Sequence, residues 1–121
     1  MKVKIDTKEK MHVITVEEKK LSVNMTEELK NLLLKYLSDP VKNIVVNLEP
    51  VSEIELEPSN VLVSVQQAFY EAHHSMVFCN LQAGVTDFLK KNELLELMNV
   101  TPTESEAWDI VQMEEIEREF L

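Results

Sequence analysis

An α/β fold, with a mixed sheet of four to five strands and about four helices packed on it, is what these 121 residues predict. Three observations carry that expectation. The opening residues alternate apolar and charged side chains, as a strand with one wet face does. A β-branched run, Asn43-Ile44-Val45-Val46-Asn47-Leu48, is closed by Glu49-Pro50, which marks a buried strand. Beyond it, strands and helices alternate, an order that favours right-handed crossovers and parallel pairing of the later strands.

Taken in order, Val3 and Ile5 alternate with Lys2, Lys4 and Asp6 in a first strand. Lys8-Glu9-Lys10 makes a charged turn, so short that the second strand, Met11 to Val16, is expected to run antiparallel to the first. Thr26 is placed to cap the first helix, with Glu27 and Glu28 near its positive end. Leu29, Leu32, Leu33, Tyr36 and Leu37 form its apolar stripe, and Ser38-Asp39-Pro40 ends it. The run from Asn43 to Leu48 follows as the third strand, expected near the centre of the sheet.

After the acidic connection Val51-Ser52-Glu53-Ile54-Glu55-Leu56-Glu57, Pro58 fits the first position of a second helix, where no amide hydrogen bond is lost. That makes Glu57 its N-cap, and Val61, Val65, Ala68, Phe69 and Ala72 its packed face. His73-His74-Ser75 closes the helix, and Met76 to Leu81 is a fourth strand. Gln82-Ala83-Gly84 turns the chain into a short helix opened by Thr86 and running through Phe88 and Leu89 to Lys90-Lys91. A final strand is expected over Leu97 to Val100. Thr103 and Glu106 have capping-box spacing at the start of the last helix. Ala107, Ile110, Val111, Met113, Ile116 and Phe120 are its apolar positions.

Length fits one domain, residues 1–121, with a single core. No apolar run approaches the ~18 residues of a membrane helix, and the first residues do not resemble a secretion signal. One cysteine, Cys79, allows no internal disulfide and fits a reducing cytoplasm. Net charge is −10 and Arg118 is the one arginine, which disfavours nucleic acid and anionic membrane surfaces. Either the acidity keeps the protein soluble, or it matches a basic face on a partner. Gly84 is the sole glycine, so the Gly-rich phosphate loops are excluded and no nucleotide cofactor is expected.

The remaining chemistry-bearing residues point away from catalysis. His73 and His74 are neighbours and point about 100° apart on a helix, so they read as surface histidines at a helix end and not as one metal site. Cys79 reads as a buried, inert thiol, with no activating cation near it in sequence. Glu55 and Glu57 would need a pocket and split pKa values to act as acid and base, and no other polar group is marked out beside them. No metal, cofactor or enzymatic activity is expected. From Thr101 to Leu121 there are seven acidic residues and one basic, with Trp108, Met113, Ile116 and Phe120 among them. That helix reads as a packed terminal helix with a solvated face, or else as a homodimer or partner surface.

Element order and several local patches resemble the STAS domain of bacterial anti-sigma factor antagonists and of sulfate-transporter tails. Ile44-Val45-Val46-Asn47-Leu48-Glu49-Pro50-Val51 is similar to that family's strand, and Ile54 to the residue before its Asp-Ser-Ser-Gly motif. Leu21-Ser22 and the ending from Leu94-Leu95 through Val100 to Thr103-Glu104-Ser105-Glu106-Ala107 extend the likeness over nearly the whole chain. The motif itself falls on Glu55-Leu56-Glu57-Pro58, where the sequence departs from it.

In the family, the serine before the glycine is phosphorylated by an anti-sigma kinase, and the unphosphorylated form binds that kinase. Glu57 stands in its place and carries no hydroxyl; Ser59 is the nearest one. The resemblance implies a cytoplasmic, non-enzymatic protein-interaction domain in partner-switching transcription regulation. Its sites would be Glu55, Glu57, Pro58 and Ser59, and its partner an anti-sigma kinase-like protein or a complex subunit. The alternative it leaves open is a constitutive STAS subunit of a transporter or homo-oligomer that has lost the switch.

Overall fold

The computed structural model describes residues 1–120. Strands β1 (Val3–Thr7) and β2 (Met11–Val16) form the expected hairpin, with Val3 opposite Val16 and Thr7 opposite His12. A two-residue strand β3 (Lys20–Leu21) and a short 3₁₀ turn lead into helix α1 (Thr26–Leu34). Then come β4 (Asn43–Asn47), β5 (Glu53–Ile54), helix α2 (Leu56–Glu71) and β6 (Ser75–Cys79). Helix α3 (Ala83–Lys91), β7 (Val100–Thr101) and helix α4 (Glu104–Glu119) complete the order.

The main sheet runs β1-β2-β4-β6-β7, antiparallel only at β1. As expected from its apolar run, β4 is the middle strand, and it pairs in parallel with β6 from Asn43 opposite Ser75 to Asn47 opposite Cys79. All five of its residues are buried, as are all five of β6. A strand inside a parallel sheet must be covered on both faces, so successive side chains feed two separate cores.

Ile14, Ile44, Val46, Met76 and Phe78 face one way, where they meet Leu29 and Leu33 of α1, Leu62, Val65 and Phe69 of α2, and Val85 and Leu89 of α3. Met11, Val13, Val45, Val77 and Cys79 face the other way, where Ala107 and Val111 of α4 cover them. One helix therefore closes the second face alone. Cys79 lies in that smaller core, and burial pushes its thiol up to about 12, as suits the inert role expected of it.

Side-chain bonds fix α4 where apolar contact is thin. Asn43, fully buried at the start of β4, donates to the carbonyl of Lys10 at 2.9 Å and to Glu115 Oε1 at 2.6 Å. Its oxygen accepts from the Ser75 amide at 3.1 Å and from Arg118 at 3.2 Å. Arg118 also donates to Ser75 Oγ at 2.8 Å. Nearby, the Tyr70 hydroxyl donates to Glu114 Oε2 at 2.7 Å and accepts from Asn99 at 3.0 Å. Desolvation, then the Glu114 carboxylate, pushes the Tyr70 phenol up to about 12. Buried Gln66 joins α2 to the connection between α3 and β7, donating to the Leu97 carbonyl at 2.9 Å and accepting from the Asn99 amide at 2.8 Å. On the hairpin edge, His12 Nε2 donates to Asp39 Oδ1 at 2.9 Å, and that bond is the main reason the Asp39 carboxyl sits below its usual range.

Several boundaries differ from those expected. Met25, and not Thr26, flanks α1, because the 3₁₀ turn Val23–Met25 runs straight into the helix. Helix α2 begins at Leu56 with Glu55 as N-cap, so Pro58 is its third residue. Its buried face is Pro58, Ser59, Leu62, Val65, Gln66 and Phe69, while Val61 and Ala68 are only half-buried and Ala72 is exposed. Helix α3 starts at Ala83, which puts Gly84 inside its first turn, and β7 lies later than expected because Leu95–Leu97 form a 3₁₀ turn. Thr103 caps α4 as the sequence implies, accepting from the Glu106 amide at 3.2 Å. His74 is not a surface histidine: its ring is half-buried, edge-on to Phe69 with centroids 5.9 Å apart, whereas exposed His73 takes a φ of 62° to end α2. Among the described residues no helix is long and apolar enough to cross a membrane.

Asn43→Ala strips partners from the buried Ser75 amide and from Arg118, so it is expected to cost about 2–3 kcal/mol in urea unfolding. Exposed Lys30→Ala should stay within about 0.5 kcal/mol.

A second expectation concerns pH. Burial, then Lys42, Arg118 and His73, hold the His74 pKa below its ordinary 6.5. The unfolded chain therefore takes up that proton first, and stability falls as pH drops below about 6.5 towards the folded value. Denaturant midpoints at pH 7 and pH 5 should differ in this direction, and the difference should shrink in His74→Leu.

Candidate functional site

The mouth of α2 is assembled by backbone bonds that tie three segments together. Leu48 leaves β4 with its amide on the Cys79 carbonyl at 3.1 Å, and the Val51 amide turns back to Leu48 at 2.9 Å. The amides of Ser52 and Glu53 both reach the Lys19 carbonyl, at 2.8 and 3.1 Å. β3 and β5 then pair in parallel, Lys20 with Glu53 and Leu21 with Ile54. The Glu55 amide donates to the Leu21 carbonyl at 2.9 Å, which anchors the N-cap itself.

Glu55 closes the ring from the side chain as well. Its Oε1 accepts from the Val23 amide at 2.9 Å, so this carboxylate holds the turn before α1 rather than capping its own helix. On the far side, α3 presses its first turn on the same loop: a Cβ on Gly84 would stand 3.4 Å from the Ser52 carbonyl oxygen.

These contacts sort the four sequence-derived positions. Glu57 is exposed in the first turn of α2, and Glu55 is half-buried beside it. Pro58 and Ser59 point into the core, and Ser59 Oγ donates to the Glu55 carbonyl at 2.7 Å. Pro58 has no amide to satisfy, so a third helical position suits it as well as the first. Glu55 and Glu57 thus share a surface that Pro58 and Ser59 support from below. Sequence reading missed the apolar part of that surface: Leu56 is 47% exposed and Val23 44%. Leu56 could not be placed from the helical period, because the expected helix began at Pro58, two residues beyond it.

The mouth is therefore a shallow surface of two exposed apolar side chains among the carboxylates Glu53, Glu55 and Glu57, with the Lys20 ammonium 3.9 Å from Glu53. No side chain caps α2, so its first amides remain available at the positive end of the helix. Such a surface suits protein recognition, with apolar anchors inside a charged rim. Among the described residues, no group of three or more His, Cys, Asp or Glu is placed to hold a metal.

The sequence matches no family model and no curated protein. Its fold has solved counterparts. A putative anti-sigma factor antagonist from Thermotoga maritima is 17% identical with a TM-score of 0.77, over 91% of this chain and 94% of that one. Moorella thermoacetica RsbS, in a form with serine replaced by glutamate, is 16% identical at 0.75, over 93% and 96%. The murine Solute Carrier 26 anion transporter in its inward-facing state is 14% identical at 0.70, over 86% of this chain and 18% of the transporter. The fold is that of the STAS domains of anti-sigma factor antagonists.

Glu55→Ala removes the acceptor of the Val23 amide and should cost about 0.5–1.5 kcal/mol in urea unfolding, while Glu55→Gln keeps an oxygen there and should cost less. Equal losses in the two variants would mean the bond contributes nothing.

Proposed function

We propose that residues 1–121 form one non-enzymatic, cytoplasmic STAS domain that binds a protein partner through the mouth of α2, in partner-switching regulation whose phosphorylation step is fixed in one position. The observation that supports this reading is the exposed Glu57 carboxylate in the first turn of α2, next to exposed Leu56. Ser59, the one hydroxyl of that first turn, is fully buried and bonded to the Glu55 carbonyl, which supports a site without a presented phosphate acceptor.

By resemblance, Glu57 occupies the place of the phosphorylated serine. A phosphate there would carry about −1.5 to −2 charge, against −1 for glutamate, at the same positive helix end. The RsbS counterpart was solved in a form in which a serine is replaced by glutamate. Glu57 then acts as a permanent stand-in for phosphate. It keeps the domain from an anti-sigma kinase and leaves it to partners of the phosphorylated form. A second reading, a constitutive subunit of a transporter, draws on the likeness to one segment of the Solute Carrier 26 structure.

The test is calorimetric titration of the anti-sigma factor encoded nearest this gene into the wild type, Glu57→Ser and Glu57→Gln. Both variants should bind about tenfold or more tightly than the wild type. Tight binding by the wild type, unchanged in the variants, would show that the charge is no lock. Co-purification of the wild type with an integral membrane transporter would favour the second reading.

A further inference from the structure

Helix α4 carries two apolar stripes on opposite sides. Ala107 and Val111 face the sheet, and Arg118 turns the same way to reach Asn43 and Ser75. At about 100° per residue, Asp109, Met113, Ile116 and Phe120 fall on the side away from the sheet, at spacings i, i+4, i+7 and i+11. Met113 is 49% exposed, Ile116 56% and Phe120 83%, and none of the three belongs to either core. The three apolar side chains span about 10 Å, two turns of helix, a short seam of the kind that docks a partner helix.

The exposed charges that α4 itself sets beside this stripe are acidic, with Lys42 a cation from outside the helix, in the hollow beside Glu119. Glu106, Asp109, Glu117 and Glu119 are all exposed, and among the described residues none of them is in a salt bridge. Arg118, the helix's one cation, is spent on the sheet. Two copies meeting stripe to stripe would bring these carboxylates together on chains that each carry −10, and an anionic membrane would be repelled in the same way.

We propose that the outer face of α4 docks a positively charged amphipathic helix of a partner protein, with Met113, Ile116 and Phe120 as its anchors. The surface lies across the sheet from α1, α2 and α3, so it is separate from the mouth of α2, and both can be occupied at once.

The probe is a fluorescent amphipathic Leu-Lys helical peptide, titrated into the full chain, with a Leu-Glu peptide as its counterpart. The wild type should bind the basic peptide and not the acidic one. Affinity should fall about tenfold or more in Met113→Ser/Ile116→Ser/Phe120→Ser and stay unchanged in Val23→Ser/Leu56→Ser, which alters only the α2 mouth. Glu106→Lys/Glu117→Lys, which leaves the apolar anchors in place, should weaken the basic peptide as well. Equal affinity of wild type and triple variant would overturn the proposal. So would a concentration-dependent dimer in sedimentation velocity that the triple variant abolishes, which would assign the face to a second copy. Binding to phosphatidylcholine vesicles that the triple variant abolishes would overturn it too, in favour of lipid.

Discussion

Burial of β4 on both faces is what the fold turns on. Its five residues pair with β2 on one side and β6 on the other, so neither edge nor face of the strand meets water. The polar residues at its ends must then be satisfied internally. Asn47 turns the chain by accepting from the Glu49 amide, and Asn43 gathers Lys10, Ser75, Glu115 and Arg118 at the opposite end. The first arrangement directs the chain to the mouth of α2, and the second locks the end of α4. Both regions given a functional reading are thus set by one strand.

Two faces, unequally covered, explain the division of labour among the helices. Three helices share the larger core and can afford regular apolar stripes. One helix closes the other face with Ala107 and Val111, small enough to let its backbone approach the sheet closely. The polar bonds of Arg118 and Glu115 then do at the C-terminal end of α4 what apolar area does elsewhere. Because so few of its apolar residues are needed inward, the others remain outside.

Much of this was legible in the sequence. The β-branched run of Ile44 to Leu48 marked the central strand, the short charged turn marked the hairpin, and Thr103 with Glu106 marked the start of α4. The start of α2 was not legible, because proline is tolerated throughout a first turn and Glu55 caps without a side-chain bond. β3 and β5 are two residues each, too short for any period, and only their pairing across thirty-odd positions reveals them. The four candidate positions came from the motif that the resemblance places on residues 55–59, and of these Glu55 and Glu57 lie at the surface of the α2 mouth. The inward turn of Pro58 and Ser59, and the exposure of Leu56, depend on a helix register that a two-residue error in its start obscures. The Arg118 clamp joins positions 75 residues apart, beyond what local pattern can show.

Cys79 has a use that its inertness conceals. Its thiol lies fully buried in the small core beneath α4. A thiol-labelling reagent can reach it only when that region opens, so under fast closing the labelling rate measures the fraction of time it stands open. The chain thus carries one built-in clock for local unfolding, with no second cysteine to confuse it. Anything that grips the outside of α4 and steadies the helix would slow that clock without touching the sulfur.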